Sequence, residues 1–272
     1  MSDLYAVVGN PVTHSKSPTI HQMFAEQTGQ ALKYSAIAVE IGQFSQALSD
    51  FKAKKFKGLN VTVPFKQDAW ANVNQRRLNA EKAGAVNTII FADDGQLIGD
   101  NTDGVGLVRD ISQNLQFSLH NKRVLILGAG GAVRGVLGPI LAAQTASVVI
   151  ANRTVAKADE LAELFADEGK ISSSSFEALQ DQQFDLIING TAASLSGDLP
   201  PVPADIYMNA CCYDMMYSKQ DTVFMANAKQ NGAKQCWDGL GMLVEQAAES
   251  FYLWRGVRPE TAEVITAVRN SF

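Results

Sequence analysis

The sequence predicts an α/β protein made of two α/β domains, the first around a mainly parallel sheet and the second Rossmann-like. Three observations carry this. Strand-like and helix-like stretches alternate almost throughout the 272 residues, and the alternation restarts at "KRVLILGAGG" (122–131). The chain then closes on an amphipathic helical stretch, 242–272, with no further strand. The first domain is expected over residues 1–102, completed by helices within 241–272, and the second over 103–240. A cleft between them follows if the closing helices pack back on the first domain.

Taken in order, "LYAVVG" (4–9) reads as a strand, "PTIHQMFAEQTG" (18–29) as a helix closed by Gly29, and "KYSAIAVE" (33–40) as a second strand. Phe44, Leu48 and Phe51 fall at helical spacing in 42–55. "GLNVTV" (58–63) reads as a third strand that Pro64 ends, because proline cannot continue a hydrogen-bond ladder. "AVNTIIF" (85–91) and "LIGDN" (97–101) flank the hairpin turn "ADDGQ", which suggests an antiparallel addition at one edge. In the second half, strands are expected within 122–131, 146–153, 184–190, 206–214 and 233–238, while "SSSS" (172–175) reads only as a low-complexity tract.

Composition narrows the function classes. Hydrophobic residues make up 46% and charged residues 19%, ordinary for a globular protein, and the formal net charge of −5 gives no general attraction to nucleic acid or anionic membrane. No stretch has the length of a membrane helix, and the N-terminus, with Asp3 and no basic residues, does not read as a signal peptide. A cytoplasmic location is expected. Cys211, Cys212 and Cys236 form neither a disulfide framework nor a metal spacing, and no metal is expected.

"RVLILGAGGAVRG" places glycines between a strand and a helix, so backbone N–H groups and the helix dipole can receive a pyrophosphate. Gly128 permits the tight turn, and Gly130 and Gly131 permit close approach. The spacing departs from G-x-G-x-x-G, since Val133 holds the last position. The next strand ends "ANRT" (151–154), where an NAD site usually carries a carboxylate for the ribose 2′-hydroxyl. Asn152, Arg153 and Thr154 stand there instead, with Lys157 a turn further, and these suit a 2′-phosphate. NADP is the cofactor favoured. A helix-starting Thr154 beside a surface arginine is the plainer reading of the same residues.

In the first half, "THSKSP" offers Ser17 as an N-cap before Pro18, and with Ser15 it could hold a small anion at a helix start. A purely structural cap is equally compatible. Lys66 follows the third strand, Asn87 lies inside an expected strand where an amide is disfavoured unless it is used, and Asp103 sits at the domain junction. A lysine, an aspartate and an amide near one sheet edge suit a polyhydroxylated substrate. Lysine and aspartate could move a proton to or from an oxygen while hydride moves at the adjoining carbon. His14 and His21 have no metal-like partners and read as structural.

The wording, order and spacing of "GNPVTHSKSPTIH", "NVTVPFK", "AGAVNT", "GDNTDGVG", "GAGGAVRG", "NRT", "YDMMY" (213–217) and "DGLGMLVEQAA" (238–248) resemble the shikimate dehydrogenase family over nearly the whole chain. That resemblance implies NADPH-dependent, reversible reduction of 3-dehydroshikimate to shikimate in aromatic amino-acid biosynthesis. It implies that Ser15 and Ser17 bind the substrate carboxylate, that Thr62, Asn87, Tyr217 and Gln246 contact the ring or its hydroxyls, and that Lys66 is the acid/base residue with Asp103 as partner. It further implies that Gly128, Ala129, Gly130, Gly131 and Ala132 hold the pyrophosphate, that Asn152, Arg153, Thr154 and Lys157 surround the 2′-phosphate, and that Met215 and Gly239 lie near the nicotinamide. Three stretches depart from the family's usual wording: "NGTAASLSG" (189–197), with Ala193 and Leu195 in unusual places, "TVFM" (222–225) and "CWDG" (236–239). A broader shikimate/quinate dehydrogenase and a non-catalytic NADP-binding regulator are the alternatives, and the protein is expected to be a monomer or homodimer.

Overall fold

The structure of the protein, a computed structural model, describes residues 2–191, 193 and 197–272. The chain divides into two compact units, Met1–Gly106 with Leu243–Ser271, and Leu107–Met242 with Phe272. Asp103 therefore falls in the first unit, beyond the boundary expected at residue 102, because its side chain bonds to Asn87 and Lys66 of that unit.

The first unit carries β1 (Asp3–Gly9), α1 (Ser17–Thr28), β2 (Leu32–Ala38), α2 (Phe44–Ala53), β3 (Phe56–Val61), α3 (Lys66–Asn72), β4 (Gln75–Arg76), α4 (Leu78–Ala83), β5 (Thr88–Phe91) and β6 (Leu97–Asp100). Helix α5 (Asp103–Arg109) begins in this unit and runs into the next. The sheet order is β2-β1-β3-β5-β6-β4. Strands β2, β1 and β3 are parallel, and β5 alone runs against its neighbours β3 and β6. The hairpin forms as expected from "ADDGQ", but its antiparallel strand lies inside the sheet. The two-residue β4, parallel to β6, takes the edge, and nothing in its "QR" announced a strand.

Two further expectations shift here. Thr62 and Val63 leave the third strand: the Thr62 N–H still reaches Val8, yet its carbonyl accepts from Phe65 at 3.0 Å and closes a turn. Asn87 stands just before β5, not within it. Its backbone bridges Val61 and Asp100 while its side chain bonds to Thr102 and Asp103. Helix α1 also starts one residue early, with Ser17 as its first helical residue and Lys16 before it, and the Ser17 N–H donates to Ser15 Oγ at 3.2 Å. The capping hydroxyl is thus that of Ser15.

The second unit continues from α5 through a π turn (Asp110–Asn114) to β7 (Arg123–Leu127), α6 (Gly131–Ala142), β8 (Ser147–Ala151), α7 (Val155–Leu164), β9 (Ile171–Ser174), β10 (Leu186–Asn189), β11 (Cys211–Asp214), α8 (Val223–Gln230) and β12 (Gln235–Asp238). All six strands are parallel in the order β12-β11-β10-β7-β8-β9, the doubly wound order of dinucleotide-binding sheets. Both faces are covered, as a parallel sheet requires. Val124, Ile126, Val148, Ile150, Leu186 and Ile188 enter one core, while Leu125, Leu127, Ile187 and Cys212 enter another. The serine tract is an edge strand paired with β8, since a parallel ladder is satisfied by backbone groups whatever the side chains. Helices α9 (Leu240–Arg255) and α10 (Ala262–Asn270) close the chain, and from Leu243 onward they belong to the first unit.

Candidate active site

Strand order in the first sheet reverses at β1, which has β2 on one side and β3 on the other. Ligands of open α/β sheets bind outside the carboxyl ends of strands at such a switch point. Ser15 and Ser17 follow β1, and Thr62 and Lys66 follow β3. Because β5 is antiparallel and β6 returns parallel to β3, Asn87 before β5 and Asp103 after β6 come to the same edge. Six residues scattered over some ninety positions meet there through topology alone.

Lys66 Nζ donates to Asp103 Oδ2 at 2.6 Å, and the two side chains are 30% and 15% exposed. This is a half-buried pair with one side still open to a ligand. Asn87 Nδ2 donates to the other carboxylate oxygen, Oδ1, at 2.8 Å. Asn87 Oδ1 in turn accepts the Thr102 backbone N–H at 2.9 Å, which fixes which way the amide faces. Gln246, on α9, brings Oε1 to 3.4 Å from both Asn87 Nδ2 and Thr102 Oγ1, and its Nε2 donates to the Leu243 carbonyl.

Sequence reasoning missed the polar layer beneath. Asn60, 6% exposed within β3, accepts from Tyr34 at 2.7 Å and from His21 Nε2 at 3.1 Å, and donates to Ser250 at 2.9 Å. Asn60 is likewise an amide among apolar strand residues, the same feature that marks Asn87 in the sequence. Thr88 and Ser250 carried no such signal. Burial pushes the pKa of the Tyr34 hydroxyl up.

His21 is fully buried, stacked on Tyr34 with ring centroids 4.1 Å apart, and its Nδ1 has no hydrogen-bond partner. Burial pushes its pKa down to about 3, against the opposing bond to Asn60. The unfolded chain therefore binds a proton between pH 6.5 and about 3 that the folded chain refuses, and this stability is present above pH 6.5 and lost as pH falls. Urea unfolding should show roughly 2 kcal/mol lost from this residue between pH 7 and pH 5, at ~1.4 kcal/mol per pH unit below 6.5. His21→Gln should lack that component, and an unchanged slope would exclude His21 as its source.

In the second unit, Gly128 has φ +105°, a conformation that L side chains rarely adopt. It donates its N–H to the Ala151 carbonyl at 2.8 Å, which sets the turn after β7 beside the end of β8. Ala129, Gly130, Gly131 and Ala132 continue this turn into α6. A Cβ built on Gly130 or Gly131 would meet nothing within 4 Å, so the protein's own packing does not require glycine there. Open space above a helix N-terminus fits a pyrophosphate. Asn152 turns its amide onto the Thr154 carbonyl at 2.9 Å, and Arg153, Thr154 and Lys157 are exposed around it. Thr154 occupies the N-cap position of α7 without a side-chain cap bond. The residues present fit an NADP pyrophosphate and 2′-phosphate.

Met215 and Gly239 stand after β11 and β12. Gly239 packs so closely on the Met215 carbonyl, 2.3 Å from where a Cβ would lie, that a side chain there would force the two loops apart. Tyr217 is half-buried in the same unit, and desolvation raises its pKa. Among the described residues, no cluster of three His, Cys, Asp or Glu is placed to hold a metal ion, and no helix is long and apolar enough to cross a membrane.

Three family descriptions match the chain: the shikimate dehydrogenase substrate binding domain over residues 7–89, shikimate / quinate 5-dehydrogenase over 110–196, and the shikimate 5'-dehydrogenase C-terminal domain over 239–269. A shikimate dehydrogenase (NADP(+)) of Alkalilimnicola ehrlichii is 57% identical over 270 residues, 99% of each chain. The chain belongs to the shikimate dehydrogenase family. Among solved structures, an Ael1 enzyme from Pseudomonas putida is 46% identical with a TM-score of 0.95, covering 98% of each chain. A shikimate 5-dehydrogenase from Thermus thermophilus, in complex with NADP(H) and shikimate, is 30% identical with a TM-score of 0.88 over 99% of this chain and 100% of that one.

Against that family, the departures are local. In "NGTAASLSG", Leu195 lies outside the described residues, while Asn189 bonds to Thr191 and to Asp214. Gly190 packs on Val133, where a Cβ would fall 2.5 Å from Cγ2. In "TVFM", Thr222 caps α8 by accepting from the Met225 N–H at 3.2 Å. Trp237 of "CWDG" packs edge-on against Phe117.

Proposed function

We propose that this chain catalyses the reversible NADP-dependent reduction of 3-dehydroshikimate to shikimate, a step of chorismate and aromatic amino-acid biosynthesis. The observation that carries the reading is the Lys66–Asp103 pair at 2.6 Å, half open at the sheet edge, in a chain of this family. Ser15 and Ser17 hold the substrate carboxylate: Ser15 Oγ already accepts the Ser17 N–H, which leaves its own O–H to donate. Thr62, Asn87, Gln246 and Tyr217 bind ring hydroxyls. Gly128–Ala132 and the Asn152, Arg153, Thr154 and Lys157 cluster would hold NADPH, which would supply the hydride, and Met215 and Gly239 would lie near its nicotinamide.

Lys66 donates a proton to the ring oxygen as negative charge develops on it, and takes one up in the reverse direction. Asp103 holds the ammonium in place through Oδ2, and Asn87 holds Asp103 through Oδ1. The enzyme acts as a cytoplasmic monomer or homodimer, without nucleic-acid or membrane partners; the net charge of −5 supports the latter.

The test is absorbance at 340 nm when purified protein meets shikimate and NADP, with quinate and NAD in parallel. Turnover with shikimate and NADP is the expected result. Comparable rates on quinate would make it the broader enzyme, and no turnover from protein that binds NADP would overturn the reading in favour of a regulator.

A further inference from the structure

Below the Lys66–Asp103 pair, buried hydroxyls join two side-chain amides that belong to different strands. Asn60 Nδ2 donates to Ser250 Oγ at 2.9 Å, Ser250 Oγ and Thr88 Oγ1 lie 2.7 Å apart, and Thr88 Oγ1 donates to Asn87 Oδ1 at 2.8 Å. Thr88 and Ser250 are both fully buried. Each hydroxyl has a single proton. If Thr88 gives its proton to Asn87, Ser250 accepts the Asn60 amide and shares its own proton between Thr88 and the Gln246 carbonyl, 3.0 Å away. The donors then run from Asn60 through Ser250, Thr88 and Asn87 to Asp103, whose carboxylate also accepts from Lys66. Hydrogen bonds in such a chain polarise and strengthen one another in a low-dielectric interior.

The Thr102 N–H already sets the orientation of the Asn87 amide. The second donor acts on its strength and its freedom to move. With the Thr88 hydroxyl added to the Thr102 N–H on Oδ1, the amide is held from behind and its Nδ2 stays aimed at Asp103 Oδ1. Removing the Thr88 proton leaves Oδ1 with the backbone donor and with Thr102 Oγ1 at 3.2 Å. The Thr102 hydroxyl also accepts from Nδ2 at 3.0 Å, so it sits across both ends of the amide and its bond to Oδ1, at 3.2 Å, is the longer.

We propose that Thr88 is a positioning residue for the reaction: its buried hydroxyl, supported by Ser250, holds Asn87 against Asp103 and so keeps Lys66 in register with the substrate oxygen. The proposal rests on the acid/base reading of Lys66. Thr88 faces the core and reaches the acid/base pair only through Asn87.

Thr88→Val keeps the shape and deletes the proton, whereas Thr88→Ser keeps the proton. Misplacement of a reacting group by a fraction of an ångström costs roughly tenfold and upward in rate. The valine variant should lose about tenfold in kcat with shikimate and NADP. It should also shift the pH profile of kcat while leaving the KM for NADP unchanged, and the serine variant should recover to within about twofold. Should Thr88→Val not fold, Thr88→Ala deletes the same proton in a smaller side chain and is read the same way. Full kcat with an unaltered pH profile in the folded valine or alanine variant would overturn the proposal. So would a serine variant as impaired as valine, which would assign the effect to packing. Lys66→Ala, assayed alongside, separates the two levels. If that variant is inactive and Thr88→Val is normal, positioning fails alone, and if Lys66→Ala is also active, the acid/base reading fails with it.

Discussion

Lys66→Ala should lower kcat for shikimate oxidation by about 10²- to 10⁴-fold, the range over which a positioned acid/base group contributes to rate. The same loss should appear in kcat/KM, because the proton is shared with the substrate oxygen only as charge moves in the transition state. Folding should survive the change. Lys66 is 30% exposed and its partner 15%, so the lost ion pair is worth about 1 kcal/mol once solvent screening is allowed for. Circular dichroism and thermal melting check that point before any rate is interpreted. A loss below about tenfold in a folded variant would remove Lys66 from the chemistry.

The second large effect concerns cofactor choice. Arg153→Ala should raise the KM for NADP by roughly 10- to 100-fold and leave that for NAD within about twofold, since a hydrogen bond to a charged group is worth ~1.5–3 kcal/mol and only NADP carries the 2′-phosphate. Arg153 is exposed at the end of β8, beside a turn whose glycines leave open space. Deleting it should therefore disturb no core packing. Initial rates with each cofactor at saturating shikimate measure this directly. Equal changes for NADP and NAD would move the 2′-phosphate to other residues.

Most of the second unit was legible in the sequence, because a parallel sheet covered on both faces writes itself as apolar runs. "VLIL", "VVIA" and "LIIN" are such runs, and the glycine turn announces where the ligand goes. The edge strand at Ile171–Ser174 was not legible, since its ladder partners are backbone groups and its serines carry no strand signal. In the first unit the strands and the hairpin could be read, but not the place of β5 inside the sheet or the short β4 at its edge. Those depend on which strand edge remained free after β1, β2 and β3 had paired.

Residue chemistry alone marked Lys66, Asp103, Asn87 and the Asn152–Thr154 cluster as unusual: a lysine just past a proline, an amide in apolar surroundings, an arginine where a carboxylate is usual. Only the tertiary structure decided that Lys66 and Asp103 stand 2.6 Å apart, that Asn87 bends out of its strand to hold them, and that Asn60, Thr88 and Ser250 support that amide from below. Sequence patterns record which face of a strand or helix is apolar. A hydrogen bond between Thr88 and Ser250, 162 positions apart, arises only when α9 packs against the first sheet, and no local preference of either residue encodes it.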